Sequence, residues 1–162
     1  MLAAITNRVV TLGQTLSFAA SATDTDQPPQ ILSFTLTNAP VGAQMDTASG
    51  AFTWTPNLAP ATNNIGIIVT DNGTPHLSAM QAFTVAVAPV PAATGCRIDG
   101  NEFICNWSAF AGQQFQVEFK DDLSQAARIP VGSTLTGSGG VLQFTNGLDD
   151  SSQRFFRLRV LP

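Results

Sequence analysis

A chain of 162 residues has room for one large domain or two small ones, and its 44% of hydrophobic residues can supply a core in either case. Charged residues make up only 11%, against roughly 25% in ordinary soluble proteins, so Thr, Ser, Asn, Gln and Ala must cover the surface. A net charge of −4 with seven Lys and Arg offers no basic stripe for a nucleic-acid backbone, and no apolar run nears the roughly 20 residues that cross a bilayer; nucleic acid and membrane insertion are both excluded from the reading.

The opening Met1-Leu2-Ala3-Ala4-Ile5 lacks the charged start and long apolar stretch of a signal peptide, so an exported protein beginning here is expected to be a mature or excised fragment. From there on, apolar and polar residues alternate, and no stretch sustains a helical period. The expected fold class is all-β. Strands are expected at Thr15 to Ala22, Ile31 to Asn38, Gly50 to Thr55, Asn64 to Asp71 and Gln81 to Ala88, punctuated by Pro, Gly, Asp and Asn turns. In the second of these, Leu32, Phe34 and Leu36 face one way and Ser33, Thr35 and Thr37 the other.

Two prolines that cannot donate to a ladder, followed by small residues, mark 90–95 as a linker. It divides a β-sandwich over 1–89 from a smaller β-sandwich over 96–162. The second begins with two alternating runs about Asp99-Gly100-Asn101, which set Cys96 opposite Cys105 and put Cys96, Ile98, Phe103, Cys105 and Trp107 on one face. Opposed Cβ atoms in such a hairpin lie about 4.5–5.5 Å apart, within reach of a cross-strand disulfide after local twisting. A disulfide between them persists only in an oxidising compartment, which places the chain outside the cell or on its surface. Further strands are expected at Phe115 to Lys120, Val141 to Thr145 and Arg154 to Leu161.

Four segments carry a resemblance. They are Ile5 to Phe18 followed by Ala22-Thr23-Asp24-Thr25-Asp26; Leu32 to Leu36 running into Ala39-Pro40-Val41-Gly42-Ala43; Ser49-Gly50-Ala51-Phe52-Thr53-Trp54-Thr55-Pro56; and Val69-Thr70-Asp71-Asn72-Gly73 leading to Phe83-Thr84-Val85. Over residues 3 to 90 this pattern resembles the bacterial cadherin-like, immunoglobulin-like domains related to the dystroglycan-type cadherin module. That resemblance implies a sandwich acting as a spacer, adhesion unit or accessory module, without catalysis. Phe115 to Ser124 and Arg154 to Val160 are similar to a β-rich module that closes large secreted proteins of environmental bacteria, with Arg128-Ile129-Pro130 where that module has a tryptophan.

Cadherin-like domains use an Asp-x-Asp and a later Asp as the upper half of an interdomain calcium site, and the resemblance implies the same for Asp24, Asp26 and Asp71, assisted by Asn72. In an immunoglobulin-like sandwich the loops carrying them meet at one pole. Calcium takes six to eight oxygen ligands, so the rest would come from a preceding domain. Asp is equally the residue of Asx-turns, and the sequence leaves both readings open. Asp121-Asp122 and Asp149-Asp150 read as solvated loop tips.

His76 is the only histidine, in a Pro-containing loop with no marked nucleophile, and the two cysteines lack zinc-ligand spacing; the chain is expected not to be an enzyme. Sugar binding needs exposed aromatic platforms, yet Tyr is absent and Trp54 and Trp107 fall on core-facing positions, leaving Phe110 and Phe155. Arg157 and Arg159 share a face of the last strand, with Arg154 before them, and either recognise an anion or pair with Glu118, Asp121 or Asp122. The function expected is therefore a non-catalytic, structural or adhesive extracellular module, part of a larger secreted protein or subunit of a filament. Its partners would be neighbouring domains or other copies of itself; the alternative is a carbohydrate-binding accessory domain with a glycan as ligand.

Overall fold

The alternation in the sequence becomes an all-β structure with no helix among the described residues, which in this computed structural model are 1–148 and 153–161. The chain divides into two units, Met1–Ala88 and Pro89–Pro162.

In the first unit the strands are β1 (Arg8–Thr11), β2 (Leu16–Ala19), β3 (Ser33–Thr37), β4 (Gln44–Met45), β5 (Ala51–Trp54), β6 (Ala61–Thr70) and β7 (Ser78–Ala88). They form a four-stranded sheet in the order β1-β7-β6-β3 and a three-stranded sheet in the order β2-β5-β4. All pairs are antiparallel except β1 with β7, where Arg8 to Thr11 run parallel beside Val85 to Ala88. The inward positions of the larger sheet are Phe34, Ile65, Ile67, Val69, Phe83, Val85 and Val87, all buried. Phe52 and Trp54 meet them from the smaller sheet, and three rings close the middle: Phe18 lies 5.0 Å from Phe52 and 5.5 Å, edge-on, from Phe83. A buried Phe is worth several kcal/mol over a truncated side chain, so this cluster contributes strongly to holding the two sheets together.

The turns have local causes. Gly50 sits at φ +69°, where a side chain is strained, and a Cβ there would come within 2.5 Å of the Ala20 carbonyl oxygen. The Trp54 indole N–H donates to the Val41 carbonyl oxygen at 3.2 Å, tying the Pro40-Val41-Gly42 turn to the core ring.

The second unit holds β8 (Ala93–Asp99), β9 (Glu102–Ser108), β10 (Gln114–Lys120), β11 (Ile129–Thr136), β12 (Val141–Gly147) and β13 (Phe155–Leu161). Its sheets are β11-β10-β13 and β12-β9-β8. Trp107, Ala109, Phe115 and Val117 are its buried centre, ringed by partly buried Leu135, Leu142, Phe144, Phe156, Leu158 and Val160. Phe103 stacks on Phe156 with ring centres 4.6 Å apart.

Three strands go beyond the sequence expectation. β1 and β4 are too short to show a period, and β11 contains Pro130 and Gly132, which read as loop. Pro130 is tolerated because β11 is an edge strand, and Gly132 sits at φ +67° beside a register shift opposite Phe115 and Val117. The linker expected at 90–95 is shorter, since Ala93 to Gly95 already belong to β8. Residues before them are held as well: the Ser108 amide donates to the Ala92 carbonyl at 3.0 Å, and buried Gln113 donates through Nε2 to the Pro89 carbonyl at 3.1 Å. Small residues there have little to pack, but their backbone groups find partners, which composition does not reveal.

Candidate functional site

Asp24, Asp26 and Asp71 come to one end of the first unit. The 20–32 loop after β2 and the 71–77 loop between β6 and β7 border an open cavity of about 250 Å³, lined among others by Thr23, Asp24, Asp26, Asp71, Leu77 and Ser78. All three aspartates thus line one cavity; Asn72 does not. Its side-chain oxygen instead accepts from the Ile31 amide at 2.8 Å and pins one loop to the other.

Each aspartate does local work. Asp24 Oδ1 accepts from the Asp26 amide at 3.0 Å and Asp71 Oδ1 from the Gly73 amide at 3.0 Å, both Asx-turns, and Asp71 Oδ1 also accepts from the Leu77 amide at 2.9 Å. Asp26 Oδ2 accepts from Gln30 Nε2 at 3.0 Å. The α-amino group of Met1 donates to the Thr23 carbonyl at the same end. Of the oxygens of these three carboxylates, Asp24 Oδ2 is the one that is buried without a hydrogen-bond donor. Removing a carboxylate oxygen from water without a donor or cation is costly. Among the described residues, no group of three or more His, Cys, Asp or Glu side chains is placed to hold a metal ion, so Asp24, Asp26 and Asp71 line one cavity without gathering around one point.

His76 is exposed, and its Nδ1 lies 3.0 Å from the Asp71 carbonyl oxygen, an acceptor that fixes the proton on Nδ1 when the bond is made. It lies outside the cavity lining, although Asp71 and Ser78 are within it. The cysteines pair as expected, with an S–S distance of 2.03 Å between Cys96 and Cys105.

The arginines of the last strand meet acids. Arg154 Nε lies 2.8 Å from Asp121 Oδ1, with its guanidinium 4.2 Å above the Phe119 ring. Arg157 and Arg159 reach the two oxygens of Glu118 at 2.5 and 3.5 Å. Glu118 is buried on the outer face of its sheet, and the Arg157 hydrogen bond, opposed by burial and joined by Arg159, holds its carboxyl below the usual range. Asp122 faces none of these arginines; the Ser124 amide, donating at 2.8 Å, lowers its pKa as a turn residue. Asp149 and Asp150 lie outside the described residues.

Sequence reasoning passed over Asp46, whose Oδ1 accepts from the Ser49 amide at 2.7 Å, the Ser49 hydroxyl at 2.8 Å and the Ala48 amide at 3.1 Å. Those donors, the Ser49 amide foremost, lower its pKa; the signal was the Asp-x-x-Ser before Gly50. No Trp or Phe among the described residues is exposed: Trp54 and Trp107 keep 5% and 4% of their surface, and Phe110 and Phe155 are half-buried. A sugar platform of the kind weighed from the sequence is therefore not built here.

A family model described as "Putative Ig domain" matches residues 1–88. No curated protein matches the chain. Among solved structures it is similar to a crystal structure of DIP-gamma IG1+IG2, at 10% identity and a TM-score of 0.35, over 96% of this chain and 92% of that one. It is also similar to extracellular domains 3–5 of Drosophila OTK, at 12% identity and a TM-score of 0.42, over 99% of this chain and 61% of that one.

Proposed function

The chain belongs to this immunoglobulin-like family through residues 1–88, and from that premise we propose that it is a non-catalytic extracellular module, structural or adhesive, whose first unit shares a calcium ion with a neighbouring domain. The observation that carries the calcium reading is the buried, donor-free Oδ2 of Asp24, a residue that lines one cavity with Asp26 and Asp71. A hard cation is the chemistry that satisfies such an oxygen. Asp24 offers the free oxygen, and because the pole does not gather three such side chains, most of the six to eight oxygens calcium takes come from carbonyl or carboxylate groups of the neighbouring domain.

The disulfide supports an oxidising, extracellular setting. Non-catalytic use accords with the sole histidine being committed to a backbone carbonyl. Burial of the aromatic rings leaves the glycan alternative without a supporting observation.

Extracellular calcium sites bind with dissociation constants of about 10⁻⁴–10⁻³ M. At a constant of about 1 mM, a tenfold excess of calcium stabilises by RT ln 11, about 1.4 kcal/mol, which raises the melting temperature of a unit this size by about 6–11 °C over chelator. Asp24→Asn abolishes that rise. A melting temperature indifferent to calcium leaves the aspartates of this chain as turn residues, and an Asp24→Asn variant that keeps the full rise refutes the reading that this pole holds the ion.

A further inference from the structure

β8 is an edge strand whose seven residues are all exposed, and the hydrogen-bond parity of its sheet shows which of its backbone groups have no neighbour. On the β9 side, Asn101 accepts from Leu148 and Ala109 donates to Gly140, while Ser108 donates to Ala92. Odd-numbered residues of that segment therefore bond towards β12 and even-numbered ones towards β8. Through the register Gly95↔Asn106, Arg97↔Ile104 and Asp99↔Glu102, the residues of β8 that bond β9 are Gly95, Arg97 and Asp99. Cys96 and Ile98 turn their N–H and C=O groups to the open edge.

Natural edges are guarded by charges that repel a second strand. The charges here are Arg97 and Asp99, of opposite sign, both exposed, neither with an ion-pair partner among the described residues. Asp99 also sits directly opposite exposed Glu102, a like-charge pair that costs stability until a cation joins it. An antiparallel copy of the same strand supplies that cation. With Ile98 on the two-fold axis, Arg97 of each copy faces Asp99 of the other across the seam, in the non-hydrogen-bonded pairing where side chains approach most closely. The open-edge N–H and C=O of the two Ile98 residues bond one another, and their side chains, each 66% exposed in the single chain, meet on the opposite face. Shifting the axis to Arg97 sets Arg97 against Arg97, and shifting it to Cys96 leaves both charges facing Gly95 and Ala93; charge selects the first register.

We propose that the β8 edge is a self-recognition surface through which two copies of this chain join their β12-β9-β8 sheets into one six-stranded sheet, in the register Arg97↔Asp99 and Ile98↔Ile98. It deepens the adhesive reading by naming a second copy as the partner, and it draws nothing from the calcium pole. The irregular register between Ala93 and Gly95 and the turn after Asp99 confine the seam to about four residues a side, so the dimer is weak, with a dissociation constant on the order of 100 μM.

The test is sedimentation velocity of the intact, oxidised chain in chelator from about 10 μM to about 1 mM, with amide exchange at Ile98 as the local readout. The expected result is a concentration-dependent dimer and an Ile98 amide that becomes protected as it forms. Arg97→Asp alone, and Asp99→Arg alone, weaken it by roughly tenfold or more, and the double swap R97D/D99R restores it, because the swapped charges face each other again in this register only. Disulfide content and melting temperature verify that each variant is folded. A monomer across the whole range, a dimer indifferent to the single changes, or a double swap that fails to recover overturns the proposal. Because chelator is present throughout, its failure is distinguishable from that of the calcium reading.

Discussion

Replacing Phe52 by Ala tests the packing that defines the first unit. Phe52 is fully buried, 5.0 Å from the Phe18 ring and 6.0 Å from Phe83, so its removal empties the point where the two sheets meet. A buried Phe withdraws about 150–250 Å² from water, worth about 4–6 kcal/mol at 25 cal/mol per Å²; with the Ala methyl retained and partial collapse of the hole, about 3–5 kcal/mol is lost. Domains of this size have about 5–15 kcal/mol in total, so the variant stands close to unfolding, with a melting temperature about 12–40 °C lower. Each unit carries one tryptophan, Trp54 in the first and Trp107 in the second, so fluorescence in a Trp107→Phe background follows the first unit alone. A loss under about 1 kcal/mol refutes the reasoning, since a ring that can be deleted so cheaply is not closing a core.

Two further outcomes concern the second unit. Replacing both Cys96 and Cys105 by Ala frees a loop of about ten residues in the unfolded chain, and the chain-entropy estimate puts the loss at about 2–3 kcal/mol by calorimetry; equal melting of variant and parent under oxidising conditions rejects a stabilising disulfide. Glu118 has its folded-state pKa lowered chiefly by Arg157, so its contribution is present above the unfolded carboxyl pKa and is lost as pH falls through the lower folded value. Glu118→Gln should therefore be less stable than the parent at neutral pH, with the gap closing below about pH 4 in acid denaturation; a gap independent of pH denies the ion pair that role.

Much of the fold was legible because side-chain alternation is a direct trace of a sheet with one wet face. Phe34 and Leu36 face inward as their positions require, and the Cys96↔Cys105 register follows from the Asp99-Gly100-Asn101 turn alone. β11 was not legible because its stability comes from pairing with β10, a partner brought up by tertiary contact, and not from its own Pro- and Gly-containing run. At the pole, the sharing of one cavity lining by Asp24, Asp26 and Asp71 is what sandwich geometry leads one to expect, whereas the work of Asn72 is not. An amide that pins a loop 41 residues away leaves no local mark in sequence.

Face and burial are separate quantities, and the second unit shows why. Ile98 shares its face with the buried Trp107, so alternation assigns both to the core. β9 is the central strand of its sheet while β8 is the edge, and a three-stranded layer cannot cover its own margin; one residue is 4% exposed and the other 66%. Glu118 shows the converse. It lies on the outer face but is buried, with the guanidinium groups of Arg157 and Arg159 from β13 at its two oxygens. In a sequence so poor in charge, neighbours that cover or pair a charge are few, and an Arg and an Asp left together on an open edge weigh more than they would on a crowded surface. A charge-rich homologous edge should for the same reason self-associate less selectively, since many registers would offer some opposite pair; here a single register satisfies both charges at once.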